Sequence, residues 1–406
     1  MIKASADRKI DLNRYLNYLI LAYAFFLPIS RAAVVFLSML LILLWLLEGN
    51  FRQKFHLVAQ CKVLWALGLF IIYNLISLAW SDNIPEALNY VKKYWYFTPM
   101  IILYTSIKKE YIPKALSFFI AGMFVSEVLA YGVFFELWHF RNVSPQNPTP
   151  FMHHIEYSVF LAFTSLLLLT RIFNTDDWKT KLVYSLFFTT ITGNLFLTAG
   201  RTGQLAFLVG LFVVAMTNVK NKFKALLVFV LLTGLLFGLA YKYSETFHKR
   251  IELAEQNLLH LEDRGGYCTS WGSRVGAWVV SRDMIVKYPI FGIGIDDNMQ
   301  EFYRLIQTKY PKMICSGNTL VHMHDQYLQI LTQTGMIGLI LFLLIFVAIA
   351  QIRLKEREYR NIKYIYLAVT LFAFIPEVLL HRQFGMALFA LIVGLLMAQY
   401  RVEHEV

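Results

Sequence analysis

The chain has 406 residues, 58% of them hydrophobic and only 16% charged, with a formal net charge of +12 at pH 7. A soluble domain is nearer half apolar and a quarter charged, so the composition excludes an ordinary soluble enzyme and predicts an all-α, polytopic membrane protein. The positive charge needs no nucleic-acid partner, because topology-setting Lys and Arg and their contact with anionic membrane lipids account for it.

Taken in chain order, apolar runs of about 17–25 residues, the length that spans a bilayer, predict twelve spans. They lie at 14–30, 32–48, 63–80, 94–107, 115–137, 154–170, 181–199, 202–217, 223–241, 325–351, 362–380 and 383–400. The first run is aromatic and lacks a small-residue cleavage end, so no cleavable signal peptide is expected. With the N-terminus inside, most of the 38 Lys and Arg fall on inner segments. Apart from the long segment 242–322, the outer loops keep Arg31, Lys92, Lys93, Arg141, Arg201 and Arg382. The expected organisation is a nine-span bundle (1–241), a helical outer loop domain (242–322) and three further spans (323–406). Charges sit at span ends, with Glu127 and Glu136 in the fifth span as exceptions. Cys61 falls on an inner loop. Cys268 and Cys315 share the outer segment, where an oxidising compartment could pair them or leave two thiols.

The outer segment predicts three helices: an amphipathic one over Ser244 to Leu261 ended by Arg264-Gly265-Gly266, a second over Ser273 to Lys287 stopped by Tyr288-Pro289, and a third over Asp297 to Thr308 before Pro311. Between the last two lies the glycine-punctuated turn Phe291-Gly292-Ile293-Gly294-Ile295. A unit this small must pack on the spans to be stable, which makes it a lid over the outer face.

The segment closes on Val321-His322-Met323-His324-Asp325-Gln326 and runs on to Gly335 and Gly338. At about 100° per residue, His324, Gly335 and Gly338 would share one helix face, with the glycines admitting a close neighbour and the histidine at the water–lipid boundary. Arg201 sits in the outer turn Thr198-Ala199-Gly200-Arg201-Thr202-Gly203, and Arg274 begins a lid helix. Two forked guanidinium groups suit a diphosphate and the charge it gains as a leaving group. A neutral histidine beside them could deprotonate a hydroxyl. Each residue also has a plainer reading. Arg201 could snorkel to lipid phosphate, Arg274 could pair with Glu262, and a lone interfacial histidine is commonly structural. His322 could replace His324 as the working ring, and Asp325 could orient that ring or cap the helix. His153, His154, Glu156, Glu377, His381 and Arg382 also fall near outer span ends as candidates for support or glycan contact.

Several chemistries are contradicted. The chain has no H-E-x-x-H, no paired C-x-x-C, no Walker lysine and no G-x-S-x-G nucleophile. His322, His324 and Asp325 diverge on a helix and no further ligand is evident, so no metal site is expected.

His324-Asp325, nine residues and Gly335-x-x-Gly338 resemble the signature of the O-antigen ligase family. Arg201 in Ala-Gly-Arg-Thr-Gly resembles that family's arginine before the eighth span. Ser273-Arg274-x-x-x-Trp278 with Pro289-Ile290-Phe291-Gly292-x-Gly294 resembles its second arginine and following turn. Motif resemblance covers about 195–340, and the order of nine spans, a long outer loop and three spans is similar too. The resemblance implies a GT-C-like glycosyltransferase on the outer face of a Gram-negative inner membrane. Its donor would be a glycan on undecaprenyl diphosphate and its acceptor a sugar hydroxyl of lipid A–core. His324 would be the general base, and Arg201 and Arg274 would bind the diphosphate. No metal and no other cofactor would be required. Asp325 departs from the family's usual Asn, Ser or Gln. O-antigen polymerases and protein O-oligosaccharyltransferases share the superfamily and the donor.

Overall fold

A computed structural model describes residues 11–140, 143–243, 245–259, 266–269, 271–313 and 320–405. The chain folds as helices: α1 (Leu12–Phe26), α2 (Arg31–Glu48), α3 (Phe51–Gln60), α4 (Lys62–Ser77), α5 (Ile84–Val91), α6 (Thr98–Ser106), α7 (Ile112–Phe134), α8 (His154–Asn174), α9 (Trp178–Leu197), α10 (Arg201–Asn218), α11 (Lys222–Tyr243), α12 (Glu245–Leu259), α13 (Gly272–Lys287), α14 (Asp297–Thr308), α15 (Gln326–Ala350), α16 (Arg357–Ala373) and α17 (Gln383–His404). Among the described residues, seven helical stretches are long and apolar enough to cross a membrane: Arg31–Glu48, Lys62–Trp80, Lys109–Phe134, His154–Asn174, Lys222–Tyr243, Gln326–Ala350 and Gln383–His404. The protein is therefore a multi-pass membrane protein.

The other five expected spans fall on α1, α6, α9, α10 and α16, which do not meet that length and hydropathy standard. The fourth departs most. Lys92 to Phe97 form a 3₁₀ stretch, and α6 has only 9 residues with Pro99 in its first turn. Proline lacks an N–H and suits a helix start rather than a helix interior, which splits the expected 94–107 run. Pro376 acts similarly beyond α16, which ends at Ala373 rather than 380. Glu136 lies beyond the end of α7 and is exposed, so it is not a charge within a span. Glu127 is buried inside α7.

The outer helices form where the pattern places them, as α12, α13 and α14; Glu262 and Arg264 lie outside the described residues. α13 and α14 share a small apolar core of Ala277, Val280, Met284, Met299, Phe302 and Ile306, closed by Met323 ahead of α15. Asp297 pins this unit to the bundle: its carboxylate accepts from Asp82 N at 2.7 Å and Asn83 N at 3.1 Å. Cys268 is disulfide-bonded, Cys61 is a free buried thiol, and Cys315 lies outside the described residues.

α15 is not one continuous helix. Gly335 adopts φ 65°, ψ −166°, a conformation reserved to glycine. This break would orphan two donors and two acceptors, because N–H groups at 336 and 337 normally bond carbonyls at 332 and 333. The Pro289–Gly294 turn takes both roles. Met336 N donates to Pro289 O at 2.9 Å and Ile337 N to Ile290 O at 3.4 Å, while Ile293 N and Gly294 N donate to Thr332 O and Gln333 O, each at 2.9 Å. Contact is close enough that a Cβ on Gly335 would lie 2.1 Å from Ile290 O, and one on Gly292 would lie 2.5 Å from Gln333 O. Gly335 therefore does not admit a neighbouring helix, as expected, but a loop that completes the hydrogen bonding of a broken one. Gly338 lies beyond the break, against Thr334 and Tyr73.

Candidate functional site

The candidate side chains gather where the loop after α16 meets the start of α15. Gln326, the first residue of α15, holds the two together: its N–H donates to Phe374 O at 2.8 Å, and its side-chain oxygen accepts from Leu380 N at 2.9 Å. Tyr327 Oη adds a bond to Leu371 O at 2.8 Å. These ties place Glu377 against His322 and His324.

Glu377 is fully buried and is the hub of the site. His322 Nε2 lies 3.2 Å from its Oε1 and His324 Nδ1 3.4 Å from its Oε2. Arg382 approaches at 3.4 Å and Arg274 at 3.9 Å. Burial alone pushes the Glu377 carboxyl up, but His324, His322 and Arg382 outweigh it and hold the group down at about 2. It is an anion at neutral pH. Arg274 is oriented further by donating Nε–H to Pro376 O at 3.0 Å. Arg382 also faces Glu156 at 3.9 Å, as Arg31 does at 3.7 Å.

The two histidines have different duties. His322 Nδ1 accepts the backbone N–H of His324 at 3.2 Å, so its Nε2 carries the hydrogen that Glu377 receives. Burial pushes His322 down to about 4, which leaves it neutral with both ring nitrogens committed. His324 is one-fifth exposed and lines a cavity of about 470 Å³. With Nδ1 directed at Glu377, its Nε2 is the nitrogen left for chemistry. His324 stands before α15 with φ 50°, a left-handed conformation uncommon for non-glycine residues. It does not share a helix face with Gly335 and Gly338, because α15 begins after it and breaks at Gly335.

Asp325 caps α15 rather than orienting the histidine. Its carboxylate accepts from Tyr327 N at 2.8 Å and Leu328 N at 3.0 Å. Asn and Ser perform the same capping task.

The same cavity is lined by His153, His154, Tyr267, Ser273 and Arg274, and by Phe302 and Tyr303 of α14. Arg201 starts α10, half-buried, on a turn that abuts α8: a Cβ on Gly200 would lie 2.6 Å from His154 O. Its side chain has no hydrogen-bond or ion-pair partner among the described residues, and its charge is felt at Arg274. The structure thus gathers His322, His324, Arg274, Arg382, Glu377 and His154, with Arg201 alongside. His381 turns away, to Lys93 Nζ at 3.1 Å and the Tyr90 ring.

Residues 186–343 match a family model described as O-Antigen ligase. The chain is similar to O-antigen ligases over a little more than a third of its length. The match includes Arg201, Arg274, the Pro289–Gly294 turn, His322 to Asp325, Gly335 and Gly338. No curated protein matches the chain at a significant level. Glu377 and Arg382 lie beyond the matched residues. Among the supporting candidates, Glu377 carried no mark of its central place. The one signal is local: Pro376-Glu377 and His381-Arg382 crowd a very short outer loop.

The expectation that no further metal ligand stands near the histidines is overturned. His322, His324 and Glu377 bring ligand atoms within 4.8 Å of one another, the set among the described residues that could hold a cation. Arg274 and Arg382 already balance that carboxylate, and His322 Nδ1 is spent on a backbone N–H. The arrangement is better suited to orienting a proton acceptor than to holding a dication.

Proposed function

We propose that the protein is an O-antigen ligase of the bacterial inner membrane, with twelve spans and its site on the periplasmic face. The observation that carries the chemistry is the linked set Arg274, Glu377 and His324 at one cavity wall. Around it Arg31, Arg274 and Arg382 face the two carboxylates Glu156 and Glu377, and Arg201 adds a fourth cation whose charge is felt at Arg274, an excess of positive charge. That excess suits a diphosphate.

In the proposed reaction, Glu377 holds His324 by Nδ1, and Nε2 takes the proton from a sugar hydroxyl of lipid A–core. The hydroxyl oxygen bonds to the anomeric carbon of the donor glycan on the side opposite the diphosphate. The bond from that carbon to the phosphate oxygen breaks, its electron pair leaving on undecaprenyl diphosphate. Arg201 and Arg274 bind the diphosphate and stabilise the charge it gains. The anomeric configuration inverts. His322 and Arg382 keep Glu377 in place, His154 lines the acceptor side, and the α13–α14 lid shapes access. No step uses a metal or another cofactor.

Purified protein mixed with an undecaprenyl-diphosphate glycan and rough lipopolysaccharide tests this reading. A lipopolysaccharide band shifted by the donor glycan supports ligation. Lengthening of the donor glycan without that shift would assign polymerase activity instead.

A further inference from the structure

The opposite end of the bundle carries a second cavity, of about 770 Å³, between the start of α4, the loop after α15, the first turns of α16 and the end of α17. α15, although broken at Gly335, runs from just after His324 to the loop that presents Arg353, so His324 and this cavity lie at its two ends. Lys62, Arg353, Arg360 and Lys363 line it, and no carboxylate does. A general excess of basic residues at inner loops does not explain this composition. A neighbouring cavity at the same end, of about 560 Å³, sets Glu110, Glu356 and Glu358 against Lys109 and Arg171.

The four cations have distinct standing. Lys363 is buried and donates to Ala350 O and Ile352 O, each at 2.8 Å, closing the end of α15 and fixing the loop that presents Arg353. Lys62, Arg353 and Arg360 are exposed, and their side chains have no partner among the described residues. Cys61 caps α4 without a side-chain hydrogen bond, so the first N–H groups of that helix add to the positive field. The wall is apolar: Val63, Ile352, Leu354 and Met397 are buried there. Trp65 and Tyr364 are exposed at the same end, aromatic residues at the place where spans meet the head-group layer.

We propose that this cavity binds the phosphate head group of an anionic lipid, with Lys62, Arg353 and Arg360 as its direct contacts and the apolar wall taking the upper acyl chain. Each basic residue near an anionic membrane surface is worth about fivefold in affinity. The triple variant Lys62→Gln, Arg353→Gln, Arg360→Gln should therefore bind about a hundredfold more weakly.

The test is native mass spectrometry of the full chain, titrated with phosphatidylglycerol or phosphatidylcholine. The wild type and a Lys109→Gln control should retain phosphatidylglycerol, the triple variant should lose it, and phosphatidylcholine should bind neither. His324→Ala should bind phosphatidylglycerol as the wild type does, which separates this site from the donor site. Equal retention by wild type and triple variant overturns the proposal. Displacement of the lipid by inorganic phosphate alone at equal concentration would assign a soluble anion and overturn the lipid assignment.

Discussion

Glu377→Gln is the substitution with the largest expected consequence for its size. It removes one charge and changes almost no volume, at a carboxylate reached by His322, His324, Arg274 and Arg382. The carboxyl is held at about 2 instead of its ordinary 4.5, a preference for the ionised form of about 3 kcal/mol. Breaking a buried ion pair by removing one partner costs about 3–5 kcal/mol, so two routes give similar magnitudes. The sign is that of a depressed acid: this stability is complete above pH 4.5 and lost only as pH falls toward 2. In the ligation assay, the variant should lose about 10²–10⁴ in turnover, the range of a mispositioned general base. Monodispersity in detergent and retained donor binding should distinguish this from collapse. Wild-type turnover in folded Glu377→Gln would refute the claim that this carboxylate positions His324.

Other substitutions separate the parts of the account. Gly335→Ala should yield little folded protein, because φ is 65° and its Cβ would strike Ile290 O, whereas Gly68→Ala in α4 meets nothing within 4 Å and should stabilise by about 0.5–1 kcal/mol; thermal midpoints of both check this. Asp325→Asn should retain turnover as a fellow cap, and Asp325→Ala should lose about 1 kcal/mol of stability with turnover largely kept, read by thermal scan and gel shift. His322 and His381 are held down to about 4 and about 3. The unfolded chain therefore takes protons below pH 6.5 that the folded one refuses, and stability should fall from pH 6.5 toward 4 by at most about 1.4 kcal/mol per pH unit per histidine. Asp325, pushed up to about 6 by burial, acts with the opposite sign over the same window, and His322→Gln should lose less thermal midpoint than the wild type as pH falls from 6.5 toward 4. Arg201→Lys should reduce transfer strongly, since a point charge does not replace a forked contact, as measured with saturating acceptor.

What the sequence made legible follows the range of the forces involved. The outer helices α13 and α14 were readable because their apolar spacing and the Pro289 and Pro311 stops are local. Arg201, Arg274 and His324 were admissible from their depth, and their ranking came from resemblance. The place of Glu377 was not legible. It lies 53 positions after His324 and meets it only because Gln326 ties α15 to the loop after α16. The break at Gly335 was equally hidden, since it depends on carbonyl and N–H groups of a turn some 40 residues earlier. Asp325 could be read either as a cap or as a partner of histidine, and the two helix N–H groups it accepts decide for the cap.

The central claim is base catalysis by His324 without a metal. It is tested most directly by one assay: single-turnover transfer of a glycan from undecaprenyl diphosphate to rough lipopolysaccharide, with EDTA present, for the wild type and for folded His324→Ala. The account predicts full transfer by the wild type and none detectable by the variant. Transfer by the variant, or loss of wild-type transfer to EDTA with recovery on adding a divalent cation, would contradict it. The second result would make His322, His324 and Glu377 a metal site instead.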